Sequence, residues 1–197
     1  MSERDAPVSP ENRMIARYVA TVFGGTPRVA DYADRSEQLT VGILDCRDRP
    51  REGVTSYSTI RLSDHPMQWG EREFPVRLEL AGVCANTAEY FPNVLASAAF
   101  CIMRSEAVYH PGTVMPDYVR LSFAAATLPH LYLTAPFLWE NELTMLDCGT
   151  KKVSWLLAMP ISEPEYSYLK QYGDEALERL LEAQHADVTN PERPSVV

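Results

Sequence analysis

Hydrophobic and polar positions along this chain follow two different periods, and the changes between them mark its elements. Residues 1–8 are mostly polar and predict a loose arm, with a single domain over 9–197. Ser9-Pro10-Glu11 has the form of a helix start: a capping serine, proline at the first helical position and an acid in the first turn. Met14, Ile15, Tyr18, Val19 and Val22 follow at helical spacing until Gly24-Gly25 stops the segment. The period then drops to two. Val29–Tyr32 is a weak strand signal, Leu39–Cys46 alternates Leu39, Val41 and Ile43, and Ser56–Leu62 is rich in Tyr, Thr and Ile. Phe74–Leu80 places Phe74, Val76, Leu78 and Leu80 inward and Arg77 and Glu79 outward. Pro75 predicts that this strand lies at an edge or that the proline marks its start. Such alternation predicts antiparallel strands with one solvated face.

Helical spacing returns over Phe91–Met103, where Val94, Leu95, Ala98, Ala99, Ile102 and Met103 make two apolar rows behind Pro92. A Pro/Gly loop over Val108–Tyr118 leads to a buried strand within Leu128–Trp139. Val153–Met159 is a nearly unbroken apolar run, as expected of a strand covered on both faces. It leads into Ser162-Glu-Pro-Glu165, the pattern of a capping box. A helix then aligns Tyr166, Leu169 and Tyr172, Gly173-Asp174 interrupts it, and Leu177, Leu180 and Leu181 continue to about Gln184. The tail from Asp187, with Pro191 and Pro194, reads as extended. Strands first, with helices at both ends and one in the middle, do not form a βαβ alternation. The class is therefore α+β, a single domain with a mixed, mainly antiparallel sheet flanked by helices.

Charge narrows the partners. The chain carries 27 Asp+Glu against 18 Lys+Arg, a net charge of −9, whereas phosphate binding needs a cationic face. Nucleic acid is not an expected partner; an acidic surface suits a basic protein by speeding encounter, while charge taken alone is accounted for by solubility. No stretch approaches the roughly 18 apolar residues of a membrane span, and the polar amino terminus has no secretory pattern. Cys46, Cys84, Cys101 and Cys148 are widely separated without a CxxC pair, which predicts four buried free thiols in a reducing cytoplasm.

Candidate chemistry is sparse. Ser63-Asp64-His65 holds the three residue types of a hydrolase triad, but consecutive residues do not wrap into one, and no G-x-S-x-G is present. A turn, with Asp64 bonding nearby backbone and Pro66 fixing the chain, is the expected role. His110 sits in a Pro/Gly loop, and His65, His110, His130 and His185 show no metal-ligand spacing. No catalytic residue, cofactor or metal is expected. An exposed aromatic beside carboxylates would suit a basic protein. On that ground Trp139 with Glu140 and Glu142, Asp117 in the preceding loop, and Asp64 and His65 are the candidate partner-binding residues; the competing reading makes Trp139 a core residue and its acidic neighbours merely solvated.

Several segments, in order, resemble the bacterial members of the suppressor-of-fused (SUFU-like) family. The family's Thr-containing strand leading into Gly-x-Ser-Asp-x-Pro-Met is similar to Tyr57–Met67, and its next strand to Arg77–Leu80. Its Trp-Leu-x-x-x-Pro-Ile/Leu-Ser/Thr-x-x-Glu segment resembles Trp155–Glu165, and its closing helix and Arg-x-Ser-Val tail resemble Tyr172–Leu177 and Arg193–Val196. The similarity spans about residues 10–197. Arg61 departs from it, standing where the family often has Gly, so a different turn is expected before Ser63. The chain also has no room for the second half of the animal proteins, which helps them hold a transcription-factor peptide. The resemblance implies a SUFU-like fold, and for single-domain bacterial members an immunity protein that neutralises a toxin by binding it, as a monomer or weak homodimer. The alternatives are a scaffold holding an extended peptide at a sheet edge and, from another class, a hydrolase or small-molecule binder using the Ser63–His65 turn and the His110 loop.

Overall fold

The computed structural model describes residues 8–105 and 107–197; the predicted arm lies outside the described residues except for exposed Val8. Helix α1 (Pro10–Phe23) starts where its cap places it, with Ser9 Oγ accepting from the Asn12 N–H, and ends at Gly24. Its buried stripe is Asn12, Ile15, Val19 and Phe23, while Met14 is exposed. Strands β1 (Pro27–Ala33), β2 (Thr40–Arg47) and β3 (Val54–Ile60) follow as an antiparallel meander. A small hairpin, β4 (Gln68–Trp69) and β5 (Arg72–Glu73), precedes β6 (Arg77–Ala85). Then come α2 (Phe91–Arg104), β7 (Val114–Met115), α3 (Tyr118–Ser122), β8 (His130–Thr134), β9 (Leu146–Asp147) and β10 (Lys152–Ile161). Helices α4 (Glu163–Tyr172) and α5 (Asp174–Ala183) close the elements.

The main sheet runs β1-β2-β3-β6-β10-β8-β7, with β9 on the start of β10. The β6–β10 pair is parallel, and the others described are antiparallel. Along β10, Leu156 and Ala158 join the core beneath α2, while Val153, Trp155 and Leu157 join the core beneath α1. Met159 and Ile161 continue that second face under α5 and the tail. The apolar run thus reads correctly as a strand buried on both sides. At its end Ser162 Oγ accepts from the Glu165 N–H and Glu165 accepts from the Ser162 N–H, completing the predicted capping box.

Coverage of both faces corrects several expectations. β6 is a central strand and Pro75 lies just before its first residue, so of the two placements expected for Pro75 the strand start holds and the edge does not. Glu79, expected to face solvent, is fully buried, and the whole β2 run from Thr40 to Leu44 is buried. The strand expected over Leu128–Trp139 stops at Thr134; Pro136 breaks it and Phe137–Trp139 form a 3-10 turn. Asp187–Val197 is irregular but packed, with Thr189, Arg193 and Val196 buried. The four cysteines are free, though Cys101 and Cys148 are only half-buried. Burial pushes the Cys84 thiol up to about 12, so it remains protonated at neutral pH.

The turn expected to differ at Arg61 does not abandon the glycine conformation. Arg61 has φ +86°, a left-handed backbone that favours Gly, while its guanidinium holds Asp31 and Thr40. That conformation costs a non-glycine residue roughly 1–2 kcal/mol, against about 0–1 kcal/mol for a partly exposed ion pair. Arg61→Gly should therefore match or exceed the parent in urea denaturation. Arg61→Ala, which keeps the strain and loses the bonds, should fall below both.

Candidate protein-binding surface

The Ser63-Asp64-His65 segment leaves the end of β3 in a 3-10 turn over Leu62–Asp64, as a turn reading requires. Its bonds differ from the expected local ones. The Ser63 N–H donates to Glu79 Oε1 at 3.1 Å, and Thr59 Oγ1 donates to Glu79 Oε2. Lys151 Nζ, just before β10, donates to Ser63 Oγ at 2.9 Å and to Asp64 Oδ1 at 2.6 Å. Asp64 Oδ2 accepts from Asn12 Nδ2 at 2.8 Å, so the carboxylate joins α1 to the turn instead of bonding nearby backbone. Arg77 donates to the Asp64 carbonyl and pairs with Glu73 at 2.6 Å. Ser63 is fully buried and its hydroxyl is held by Lys151, so this cluster is a brace joining four parts of the chain.

Burial pushes the Glu79 carboxyl above its ordinary value, against the hydrogen bonds from Thr59 and Ser63 and the nearby Lys151 charge. A raised folded value gives stability that is complete below the unfolded carboxyl value and lost as pH rises through the folded one. Glu79→Gln removes that titration, so the stability of the parent relative to this variant should decline from acidic to neutral pH. Paired urea titrations across that range measure the difference.

This brace carries a protrusion. Met67 is buried beneath it, the Phe74 N–H donates to the Met67 carbonyl at 2.8 Å, and Gly70 at φ +64° turns the hairpin between. At the tip Trp69 is 74% exposed, with the Phe74 ring 6.4 Å away and the exposed Glu71 and Glu73 beside it. The sequence expects such an exposed aromatic beside carboxylates at Trp139. Trp139 itself is in the core, 5% exposed and 4.6 Å from the Phe23 ring. Trp69 does not stand out along the chain, because its segment reads only as a charged, turn-rich loop. The usable signal is a tryptophan directly before a glycine and three successive charged residues, Glu71-Arg72-Glu73.

The other candidate residues are dispersed. His65 is half-buried next to Asp64 at the hairpin base. Asp117 begins α3, pairs with Arg120, and donates its N–H to His130 Nδ1 at 3.0 Å; His130 Nε2 donates to Glu163 at 2.8 Å. His130 pairs with Ile161, the last residue of β10, whereas Lys151 precedes the first. Ten strand residues at about 3.3 Å each put Asp117 roughly 30 Å from Asp64. Glu140 and Glu142 are exposed after the Phe137–Trp139 turn, where Tyr18 Oη donates to the Glu142 carbonyl at 2.6 Å. His110 is exposed, its Nδ1 2.7 Å from the Pro111 carbonyl. Among the described residues no group of three His, Cys, Asp or Glu side chains is arranged to hold a metal, and no helix is long and apolar enough to cross a membrane.

Comparison with known proteins places this geometry. The family model for the suppressor of fused protein matches residues 37–194. Immunity protein YqcF of Bacillus subtilis is 36% identical over 190 residues, covering 96% of this chain and 99% of that protein. The structure of a suppressor of fused homolog from Neisseria gonorrhoeae superposes with a TM-score of 0.74 at 15% identity, covering 95% of this chain and 97% of the other. A chain of a Sufu–Fu complex gives 0.67 at 15% identity, covering 95% and 92%. Drosophila Suppressor of Fused gives 0.64 at 14% identity, covering 96% of this chain and 54% of the fly protein.

Proposed function

Because this chain belongs to the suppressor of fused family, we propose that it is a non-enzymatic immunity protein that neutralises a cognate bacterial toxin by binding it directly in the cytoplasm. The observation that carries this reading is the Trp69 hairpin, a solvent-exposed indole followed across its turn by the exposed Glu71, Arg72 and Glu73. Exposed tryptophans that bury on association dominate binding energy, and surrounding acids raise the association rate of a basic partner. A relative matched end to end and named an immunity protein supports the same role. In this reading Trp69 is the anchor, with Glu71, Asp64 and His65 at its flank. Glu140, Glu142 and Asp117 add steering charge from the rest of an acidic surface, and the net charge of −9 fits a basic toxin domain.

The test begins with affinity purification of the tagged protein from its native cells. A stoichiometric toxin whose killing is suppressed by adding this chain is the expected result; recovery of no stoichiometric protein would count decisively against it. With that partner, Glu140→Lys combined with Glu142→Lys should slow association, most strongly at low salt, as read by stopped-flow fluorescence. A scaffold that adds an extended peptide to a sheet edge is favoured by one observation only: β1 lies at a sheet edge and is largely exposed. The Pro75 segment offers no such edge.

A further inference from the structure

At the opposite end of the sheet from the Trp69 hairpin lies a cavity of about 690 Å³, bounded by α5, residues 185–189, the turn at Phe137 and the loop at Arg51. The direction of β3 fixes this separation. Arg51 precedes its first residue, Val54, and the hairpin follows its last, Ile60. Neither the Ser63–His65 turn nor the His110 loop lines the cavity, so it is not the pocket a hydrolase reading of those loops would need.

Its chemistry is specific. Met159 and Leu181 are buried in its lining, and Phe137, 47% exposed, forms an open apolar wall. Glu178 stands over them. Its Oε1 accepts from Tyr132 Oη at 2.8 Å and from Thr134 Oγ1 at 2.5 Å, and both donors are at least 97% buried. Two fixed hydroxyls thus orient the carboxylate, while Oε2 has no hydrogen-bond donor among the described residues. Glu182 adds a second acid, and the third, Asp187, is already neutralised by Arg51 at 2.8 Å. An oriented carboxylate with one free oxygen matches a guanidinium or ammonium, and the apolar wall matches a neighbouring hydrophobic side chain.

We propose that this cavity is a second binding site, taking a segment of a partner protein that presents an Arg or Lys side chain beside an apolar one. The site is independent of the toxin reading, because it shares no residue with the hairpin and its occupant need not be a toxin.

The test pans a phage-displayed library of random peptides against the full-length protein, with counter-selection on Glu178→Lys. The expected result is convergence on a basic residue next to Phe, Leu or Met. A synthetic peptide of that sequence should bind the parent at least tenfold more tightly than Glu178→Lys or Glu182→Lys, by calorimetry. Trp69→Ala should leave its affinity unchanged, which separates this site from the hairpin. Far-UV circular dichroism establishes that each variant is folded, and Glu178→Gln, which can keep accepting from Tyr132 and Thr134, should weaken binding through loss of charge alone. Failure to converge, or a selected peptide indifferent to both charge reversals, would overturn the proposal. So would concentration-dependent dimerisation abolished by Glu178→Lys, since the occupant would then be a second copy of this chain.

Discussion

Replacing Arg193 with methionine is expected to cost about 3–5 kcal/mol of folding stability, the largest loss of any single change considered, because it strands a buried carboxylate. Arg193 and Glu165 are 3% and 0% exposed and 2.6 Å apart, and the second guanidinium nitrogen reaches Glu165 Oε2 at 3.0 Å. Glu165 also accepts from the N–H groups of Ser162 and Val196. One carboxylate therefore caps α4 and fastens the carboxy-terminal tail. Burial alone would raise the Glu165 carboxyl; the Arg193 bonds and charge and the two N–H groups more than offset this and hold it below its ordinary value. Such a group contributes stability that is present above the unfolded carboxyl value and disappears as pH falls through the folded one. Without Arg193 the burial effect prevails, so the deficit of Arg193→Met should be greatest at neutral pH and shrink in acid, where Glu165 is protonated. Urea denaturation across pH measures this. A deficit independent of pH would show that lost packing, and not an unpaired charge, is responsible.

Trp69→Ala carries the second large effect, on binding and not on folding. A tryptophan at the centre of an interface costs about 2 kcal/mol or more when truncated, roughly 30-fold in Kd. Removing a side chain that is 74% exposed should move stability by no more than about 0.5 kcal/mol. The variant should fold normally and bind the partner proposed above at least 30-fold more weakly. Phe74→Ala is the instructive contrast, since Phe74 is half-buried against the hairpin and touches the main core. Its loss should lower stability as well as affinity. Unchanged toxin affinity in folded Trp69→Ala would remove the hairpin as the anchor.

The candidate site was only partly legible before the fold was known. Asp64 and His65 stand out in the sequence because polar types cluster there, and they do lie at the hairpin base. Trp139 has acidic neighbours along the chain, as a partner surface would, yet Phe23 and the α1 core enclose it, as the competing core reading has it. Adjacency in sequence says which charges share a loop; it does not say which way a ring in that loop turns. The same limit applies to Asp117, in the loop that precedes β8 and at the far end of that strand from Trp139.

What the chain determines by itself is local. Capping residues start α1 and α4 where their side chains can reach the first free N–H groups, and glycines end both helices. The apolar run of β10 requires a strand covered on both faces. Even the Arg61 turn keeps the backbone shape of a family glycine, its strain only partly offset by the bonds to Asp31 and Thr40. Tertiary structure alone decided the rest. Glu79 is buried although it alternates like a surface residue, because α1 closes a face of β6 that period-two reasoning leaves open to water. Lys151 meets Ser63 and Arg193 meets Glu165 across 88 and 28 residues of sequence. Such pairs are set by strand order and by where the tail returns, and local periodicity carries neither.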